Sequence, residues 1–571
     1  MKDIPRKETR EEIAHREVGV TAIGRLGAVV LVLGFLILLC GVPLHQHVAE
    51  WQQARRRGEA FQPVSLALLR QMPALLAPVR QEGVTISAVR ATNRELLAAM
   101  HAYEDLVEDA SLLGQRIRPG LQSMMTRYLG VGNEQVYVGR DQWLFYRPSL
   151  DYLTGPGFLA ASQLARRSSG GNVWQPAPQP DPRLAILDFH AQLAARGIAL
   201  VVVPTPVKAS IHPEQFSGRI AGDVEVLQNE SYRRLLADLA SAGVRVFDPA
   251  GIMMDRKRAM GQAQYLATDT HWRPSAMEAV AAALADDLRP LLADTPADDS
   301  ALQLESVEHA GLGDIALMLD VGDTALLFPP EPVRLQQVLR TDGQFWRPDP
   351  AADVLVLGDS FSNIYSLGPM GWGESAGFVE HLAFQLGRPV DRMTRNDSGA
   401  FATRDMLRRE LARGVDRLAG KRVVVWQFAA RELSVGDWRI LPLVLHARRP
   451  SRFLALDADE SMVLSGIVQD VSTVPRPGTV PYRDHIVSVH MVDLPDGEEA
   501  VVYLQSMIDN VWTPAARLRR GQEITVRLQA WHAVSVRYDA INRSELDDFA
   551  LQWESPCWGE VVEGEEGAGR W

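Results

Sequence analysis

The sequence predicts an α/β domain on a mostly parallel sheet, preceded by a helical region and followed by a small all-β one. Three observations predict it. The runs IALVVVP (198–204), VLVLGD (354–359) and RVVVWQF (422–428) are nearly free of polar residues, so each reads as a strand buried on both faces. Helical stretches such as DPRLAILDFHAQLAARG (181–197) and SAMEAVAAALADDL (275–288) alternate with these strands, which gives a sheet sandwiched between helices in three layers. After about residue 450 the pattern changes to short strands separated by turn residues.

The elements follow in order. Residues 21–44 hold the one long apolar stretch, uncharged for eighteen residues or so after Arg25, near the lower limit for crossing a bilayer at ~20 residues. Lys2, Arg6, Lys7, Arg10, Arg16 and Arg25 precede it, against Arg55, Arg56 and Arg57 after it. That bias places 1–20 as a cytoplasmic tail and everything after ~45 outside the cytoplasm, with one helix in the inner membrane. A cleaved signal peptide would need small residues at a cleavage site. A lipoprotein signal would need a small residue where Leu39 precedes Cys40.

Residues 45–130 read as a helical stalk, and VYVGRDQWLFY (136–146) as strand-like with a turn. Residues 161–182, rich in Ser, Gly, Pro and Gln, read as an exposed loop. The helix at 181–197 has Asp181 as N-cap, Pro182 at its first position and Gly197 at its C-terminal end. A helix at about 228–242 and the strand VRVFD (244–248) come next. The helix at 275–288 opens on a capping box of Ser275 and Glu278, and PVDRMT (389–394) is a further strand. The α/β domain is thus expected at 131–447 and a β domain at 448–571, an OB-like barrel or a sandwich, with Asp496-Gly497 as a hairpin turn.

Composition excludes some functions. A net charge of −12 argues against general nucleic-acid binding, which needs a basic face. The two cysteines, Cys40 and Cys557, sit in unlike surroundings and form no CxxC, and no HExxH occurs. No metal site and no tightly bound organic cofactor is expected.

Two local patterns carry chemistry. In VLVLGDSFS (354–362) an apolar strand runs into Gly358-Asp359-Ser360, placing a serine at a strand's C-terminal end, where parallel sheets bind ligands. An ordinary strand-to-helix turn capped by Asp or Ser is the alternative. In ATDTHWRPSAMEA (267–279) Asp269 and His271 lie two apart, so in extended backbone their side chains share one side. The carboxylate can then orient the imidazole; a helix-entry loop with locally satisfied side chains is the alternative. Together the motifs supply an alcohol, the base it needs and the base's orienter.

At this point the sequence resembles the alginate O-acetyltransferase family of AlgX-like and AlgJ-like proteins, with an SGNH-hydrolase-like fold. The resemblance covers roughly 130–440 and rests on VGRDQWLFY (138–146), VVVPTPVKASIHPE (201–214), TDTHW (268–272), LGDSFS (357–362) and VVVWQFAARELSVGDW (423–438), in the family's order. Asp-x-His precedes the serine, the permuted arrangement of that family. The resemblance implies a periplasmic O-acetyltransferase acting on an exopolysaccharide, alginate or another glycan. Ser360 would be acetylated, with His271 as acid and base and Asp269 as its orienter. The oxyanion would be held by the Ser360 amide with Asn396 and Gly399, two residues that read equally as turn residues. Acetyl-CoA is cytoplasmic, so the resemblance also implies a membrane-bound acyltransferase as acetyl donor.

Five further residues are candidates for contacting the glycan. Trp272 would stack on a sugar ring or pack in the core. Lys208 and Arg431 would hold an anionic sugar or form salt bridges. Tyr365 and Trp438 would line the groove. A carbohydrate acetylesterase needs the same three catalytic residues with water as acceptor. A non-catalytic polysaccharide-binding subunit of a secretion complex needs none of them.

Overall fold

The computed structural model describes residues 24–57, 61–170, 177–222, 224–293, 302–396, 399–446, 452–475, 477, 480, 482–546, 548, 551 and 554–562. The expected cytoplasmic tail therefore lies outside the described residues. Two units separate, Met1–Gly120 and Leu121–Trp571, with the boundary inside helix Leu112–Leu129.

In the first unit, Arg25–Gln52 is long and apolar enough to cross a membrane, and the apolar part buries nothing against the protein. The helix contains a π turn at Ile37–Gly41. Pro43 follows two residues after Gly41; its missing N–H and its ring exclude the usual bond to the carbonyl four residues back, so a wider turn here has a local cause. Further helices at Ala67–Leu75, Ala77–Glu82 and Ile86–Ala110 agree with a helical lead-in.

The second unit opens with a small hairpin, β1 (Val136–Val138) and β2 (Leu144–Tyr146). The segment at 161–182, expected to be a loop, starts instead as helix Ala161–Ser169. ASQLARRSS contains no Gly or Pro, and the breakers that suggested a loop begin only at Gly170. Helix Pro182–Ala194 has its expected cap, with Asp181 accepting from the Arg183 amide. Next come β3 (Ala199–Thr205) and β4 (Arg245–Val246). Helix Pro274–Leu288 does not use the expected capping box: Arg273 is its N-cap and Pro274 sits at its first position, so Ser275 already lies inside. Proline's fixed φ starts the helix before the serine can cap it.

An antiparallel pair follows, β5 (Leu302–Gly311) and β6 (Glu331–Arg340). Then come β7 (Val354–Gly358), β8 (Asp391–Thr394) and β9 (Val423–Ala429). The central sheet runs β4-β3-β9-β7-β8, and every pairing in it is parallel. Alternate side chains feed two cores. Val201, Val203, Val354, Val356, Val423 and Val425 pack with helices Pro274–Leu288 and Phe378–Leu386. Leu200, Val202, Leu355, Leu357, Val424 and Trp426 pack with helices Pro182–Ala194, Tyr232–Ser241 and Ala402–Ala412. This double burial explains the uninterrupted apolar strands.

The chain returns through β10 (Ser461–Val471), β11 (His485–Val492), β12 (Ala500–Ile508), β13 (Val511–Trp512), β14 (Glu523–Ala530), β15 (Asn542–Ser544) and β16 (Cys557–Val561). The pairings β10–β11, β11–β12, β12–β16, β16–β14 and β14–β10 close a five-stranded barrel. A sandwich is thereby excluded. Pro495–Gly497 joins β11 to β12, so Asp496-Gly497 does sit in a hairpin connection. Of the tryptophans in this region, Trp531 is buried, Trp512 is exposed, and Trp553 lies outside the described residues.

Candidate active site

In the sheet, β3 leads outward to β4 on one side and β7 to β8 on the other, with β9 between them. Such a reversal opens a crevice at the strands' C-terminal ends. Ser360 follows β7 there, opening the short helix Ser360–Asn363. Gly358 is required at this turn, because a Cβ on it would collide with the Ser362 side chain. Asp359 caps the helix. Its carboxylate accepts from the Phe361 amide at 2.9 Å, the Gln427 side-chain amide at 2.9 Å and the Ala429 amide at 2.7 Å. Gln427 Oε1 in turn accepts from the Asp359 amide and the Ser362 hydroxyl, and its NH2 donates to Thr205 Oγ1. The serine turn is thus tied to β9 and β3. The middle residue of Gly-Asp-Ser serves as cap and tether.

Asp269, His271 and Ser360 come together. His271 Nδ1 lies 2.6 Å from Asp269 Oδ1, and His271 Nε2 lies 2.8 Å from Ser360 Oγ. With Nδ1–H facing the carboxylate, Nε2 is left to accept from the serine hydroxyl. All three residues are buried, and the ring packs on Phe361. The loop carrying Asp269 and His271 is stitched to β2, where the Leu144 amide donates to Ala267 O.

Two residues not singled out in the sequence complete the carboxylate's surroundings. Asp269 Oδ2 accepts from the Asp314 amide and from Trp372 Nε1, both at 2.9 Å. Asp314 also accepts from the Thr270 amide at 2.7 Å, and its Oδ2 lies 3.8 Å from His271 Nδ1. One faint signal existed for Trp372: it stands between Gly371 and Gly373, both at positive φ, which marks a tightly fixed loop. Asp314 had none.

The electrostatics follow from burial and this wiring. Burial favours the neutral acid, yet His271 and the donated hydrogen bonds hold Asp269 down at about 2. Burial opposes charge on His271, but Asp269, with Asp314 and Asp359 beyond, raises it above its ordinary value. Asp314, desolvated though half-buried and beside the Asp269 charge, is pushed up to about 6. Asp269, His271 and Asp314 also bring potential metal-ligand atoms within 4.8 Å of one another. Both ring nitrogens already face partners, so a cation here would have to compete with Asp269 or Ser360.

Four of the five expected glycan contacts are placed differently. Trp272 and Trp438 are fully buried, with their indole N–H groups on Phe361 O and Glu432 O, and offer no ring face to a sugar. Tyr365 is equally buried and donates to Trp272 O at 2.5 Å. Lys208 is buried and donates to Leu144 O and Ala267 O, stapling β2 to the Asp-x-His loop; burial lowers it to about 8 despite nearby carboxylates. Arg431 differs. Its guanidinium lies over the Tyr146 ring, its Nε stands 4.0 Å from Glu432 Oε1 in the ion pair offered as the alternative, and its buried Nη1 has no hydrogen-bond partner among the described residues.

The expected oxyanion residues are also located. Ser360 opens its helix, so its amide N–H has no partner within the helix. Asn396 accepts from Asn363 Nδ2 at 2.8 Å, and its own NH2 points toward Ala540 O at 3.4 Å. Gly399 has φ 71° and leads into helix Ala402–Ala412; among the described residues no hydrogen bond joins it to the Ser360 turn.

Residues 136–430 match the family model described as SGNH hydrolase-like domain, acetyltransferase AlgX, which is more than half of the chain. The chain belongs to this family. Its relatives include the probable alginate O-acetylase AlgJ of Azotobacter vinelandii, 28% identical over 203 residues, covering 35% of this chain and 44% of that one. The protein so named in Pseudomonas aeruginosa is 27% identical over 246 residues, covering 43% and 56%. The chain spans about half the length of the curated relatives it matches. Among solved structures, the O-acetyltransferase domain of Pseudomonas putida AlgJ aligns at 24% identity over 53% of this chain and 93% of that one, TM-score 0.39. Pseudomonas aeruginosa AlgX aligns at 15% identity over 69% and 91%, TM-score 0.36.

Proposed function

We propose that the chain is an O-acetyltransferase that moves acetyl groups onto hydroxyls of an exopolysaccharide through an acetyl-Ser360 intermediate. The observation that carries it is the hydrogen-bonded run Asp269–His271–Ser360 at the crevice end of the sheet, in a member of an acetyltransferase family. His271 Nε2 takes the Ser360 proton as Oγ attacks the donor's acetyl carbonyl. Asp269 keeps the imidazole oriented and stabilises it when charged. The Ser360 amide and an N–H of Asn396 stabilise the oxyanion. The proton then passes from His271 to the leaving group. In the second half His271 accepts the proton of a sugar hydroxyl, whose oxygen takes the acetyl, and the proton returns to Ser360.

Arg431, with its unpartnered nitrogen, is the residue assigned to an anionic sugar. The relatives' names make alginate the first polymer to try. The fold reading is an SGNH-type domain in permuted order followed by an OB-like barrel, since the closed strands run first, second, third, fifth, fourth. The apolar N-terminal helix anchors the chain in the inner membrane, the catalytic portion lies in the periplasm, and a membrane acyltransferase supplies the acetyl group.

The test is mass spectrometry of the full chain in detergent after incubation with an aryl acetate, with and without oligosaccharide acceptors. An adduct on Ser360 that moves to an oligosaccharide, and is missing in Ser360→Ala, is the expected result. An adduct lost only to water would make the protein an esterase. No adduct in folded protein would sink the reading.

A further inference from the structure

The segment flanking the closed barrel at β15 reaches the Ser360 turn through the two residues that follow β8. The Arg395 amide donates to Gly358 O at 2.9 Å, directly before the Asp359-Ser360 pair. Its guanidinium donates to Arg543 O, in the barrel region, at 2.6 Å. Asn396 stands between Asn363, three residues after Ser360, and Ala540 O of the same barrel segment.

That segment, Asp539–Glu545, is cross-linked by ion pairs and ring contacts. Arg543 is deeply buried, pairs with Asp539 at 3.2 Å and Glu545 at 3.1 Å, and lies over the Tyr503 and Trp531 rings. Glu545 also meets Arg409, from helix Ala402–Ala412, at 3.2 Å. Burial alone would raise Glu545, but Arg543, Arg409, Arg395 and Arg413 hold it ionised, down at about 2. A largely buried charged network of this kind adds little net stability.

We propose that the C-terminal barrel is a positioning element of the active site, fixing the Asn396 amide beside the Ser360 turn through Arg395 and the Ala540 and Arg543 carbonyls. The Asn396 NH2 carries two hydrogens; the barrel takes one, which orients the other. The inference rests on the acyl-transfer reading above. Arg395 is a positioning residue, acting through Asn396.

The test is a double-mutant cycle in the full chain, read by kcat and KM for aryl-acetate turnover and by thermal melting. Arg395→Ala should lower kcat on the order of tenfold to a hundredfold, as misplacement of a catalytic group does, with KM little changed. In an Asn396→Ala background the same substitution should cost less than about twofold, because residues acting as one unit are not additive. Arg395→Lys, which keeps a donor, should recover most of the loss. Additive losses, or an unchanged kcat in Arg395→Ala, would overturn the proposal, as would losses that track the melting temperature alone. The wild-type Ser360 adduct separates the two readings. Without it the acyl-transfer reading fails and takes this inference with it; with it, additivity sinks this inference alone.

Discussion

The parallel sheet and the barrel bury their strands in different ways. Every residue of β7 and β9 is buried, so polar chemistry along them is confined to their ends and to Gln427. In β14 buried and more exposed residues alternate, as in an ordinary barrel wall. In β11 and β12 the outer face is covered too: Ile486, Val501 and Tyr503 pack against Trp531, Leu546 and Trp558 in a second small core. That covered side carries the Asp539–Glu545 segment. A sheet buried on both faces presents function at its strand ends, whereas a barrel can present a whole flank to its neighbour.

The largest effect is expected at the sheet's end. Asp269→Asn should lower turnover on the order of 10⁴-fold with the fold intact, the loss expected when the orienting carboxylate is replaced. Melting and single-turnover acetylation check it. The pH profile gives the sign independently. The His271 pKa is raised above its ordinary 6.5, so the acid limb of kcat/KM should have its midpoint above that value. Removing the Asp269 charge should move the midpoint down, and an upward move would contradict the wiring.

Next comes the sheet's interior. Trp426→Ala in β9 should cost about 3–5 kcal/mol in chemical denaturation, through lost burial and a cavity among Phe189, Phe428 and Trp438. A smaller effect is expected from Trp372→Phe, which keeps a ring but removes one donor to a carboxylate. A hydrogen bond to a charged group is worth about 1.5–3 kcal/mol, so the variant should lose about that much stability in chemical denaturation. The Asp269 pKa should rise from about 2. Because that pKa is depressed in the folded protein, its contribution to stability is present above 3.8 and is lost as pH falls toward about 2; the variant should lose less over that window. Smallest is Arg527→Ala on β14, an exposed position in a loose pair with Glu560, expected within about 0.5 kcal/mol of wild type.

What the sequence revealed was whatever is local. The apolar runs of β3, β7 and β9, the Asp181 cap, Gly-Asp-Ser and Asp-x-His each lie within a few neighbouring residues. Asp314 and Trp372 reach Asp269 from 45 and 103 residues away, and nothing in their own neighbourhood records the meeting. The aromatic candidates failed for another reason. Trp272 beside His271 and Tyr365 shortly after Ser360 have the residue types of a sugar-binding groove, but the core behind a buried site uses the same types. Lys208 was drawn inward to donate to the Leu144 and Ala267 carbonyls. Its positive charge said nothing of that.

The Trp372 indole has a consequence beyond holding a carboxylate in place. Its N–H touches the one group whose charge the whole site is arranged around. An indole's emission responds to the field along its ring, so this side chain is a built-in optical gauge of whether Asp269 carries its charge. Thirteen tryptophans share the signal, but subtracting the spectrum of Trp372→Phe isolates this one. The difference would report the site's ionisation in a resting protein, with no substrate added.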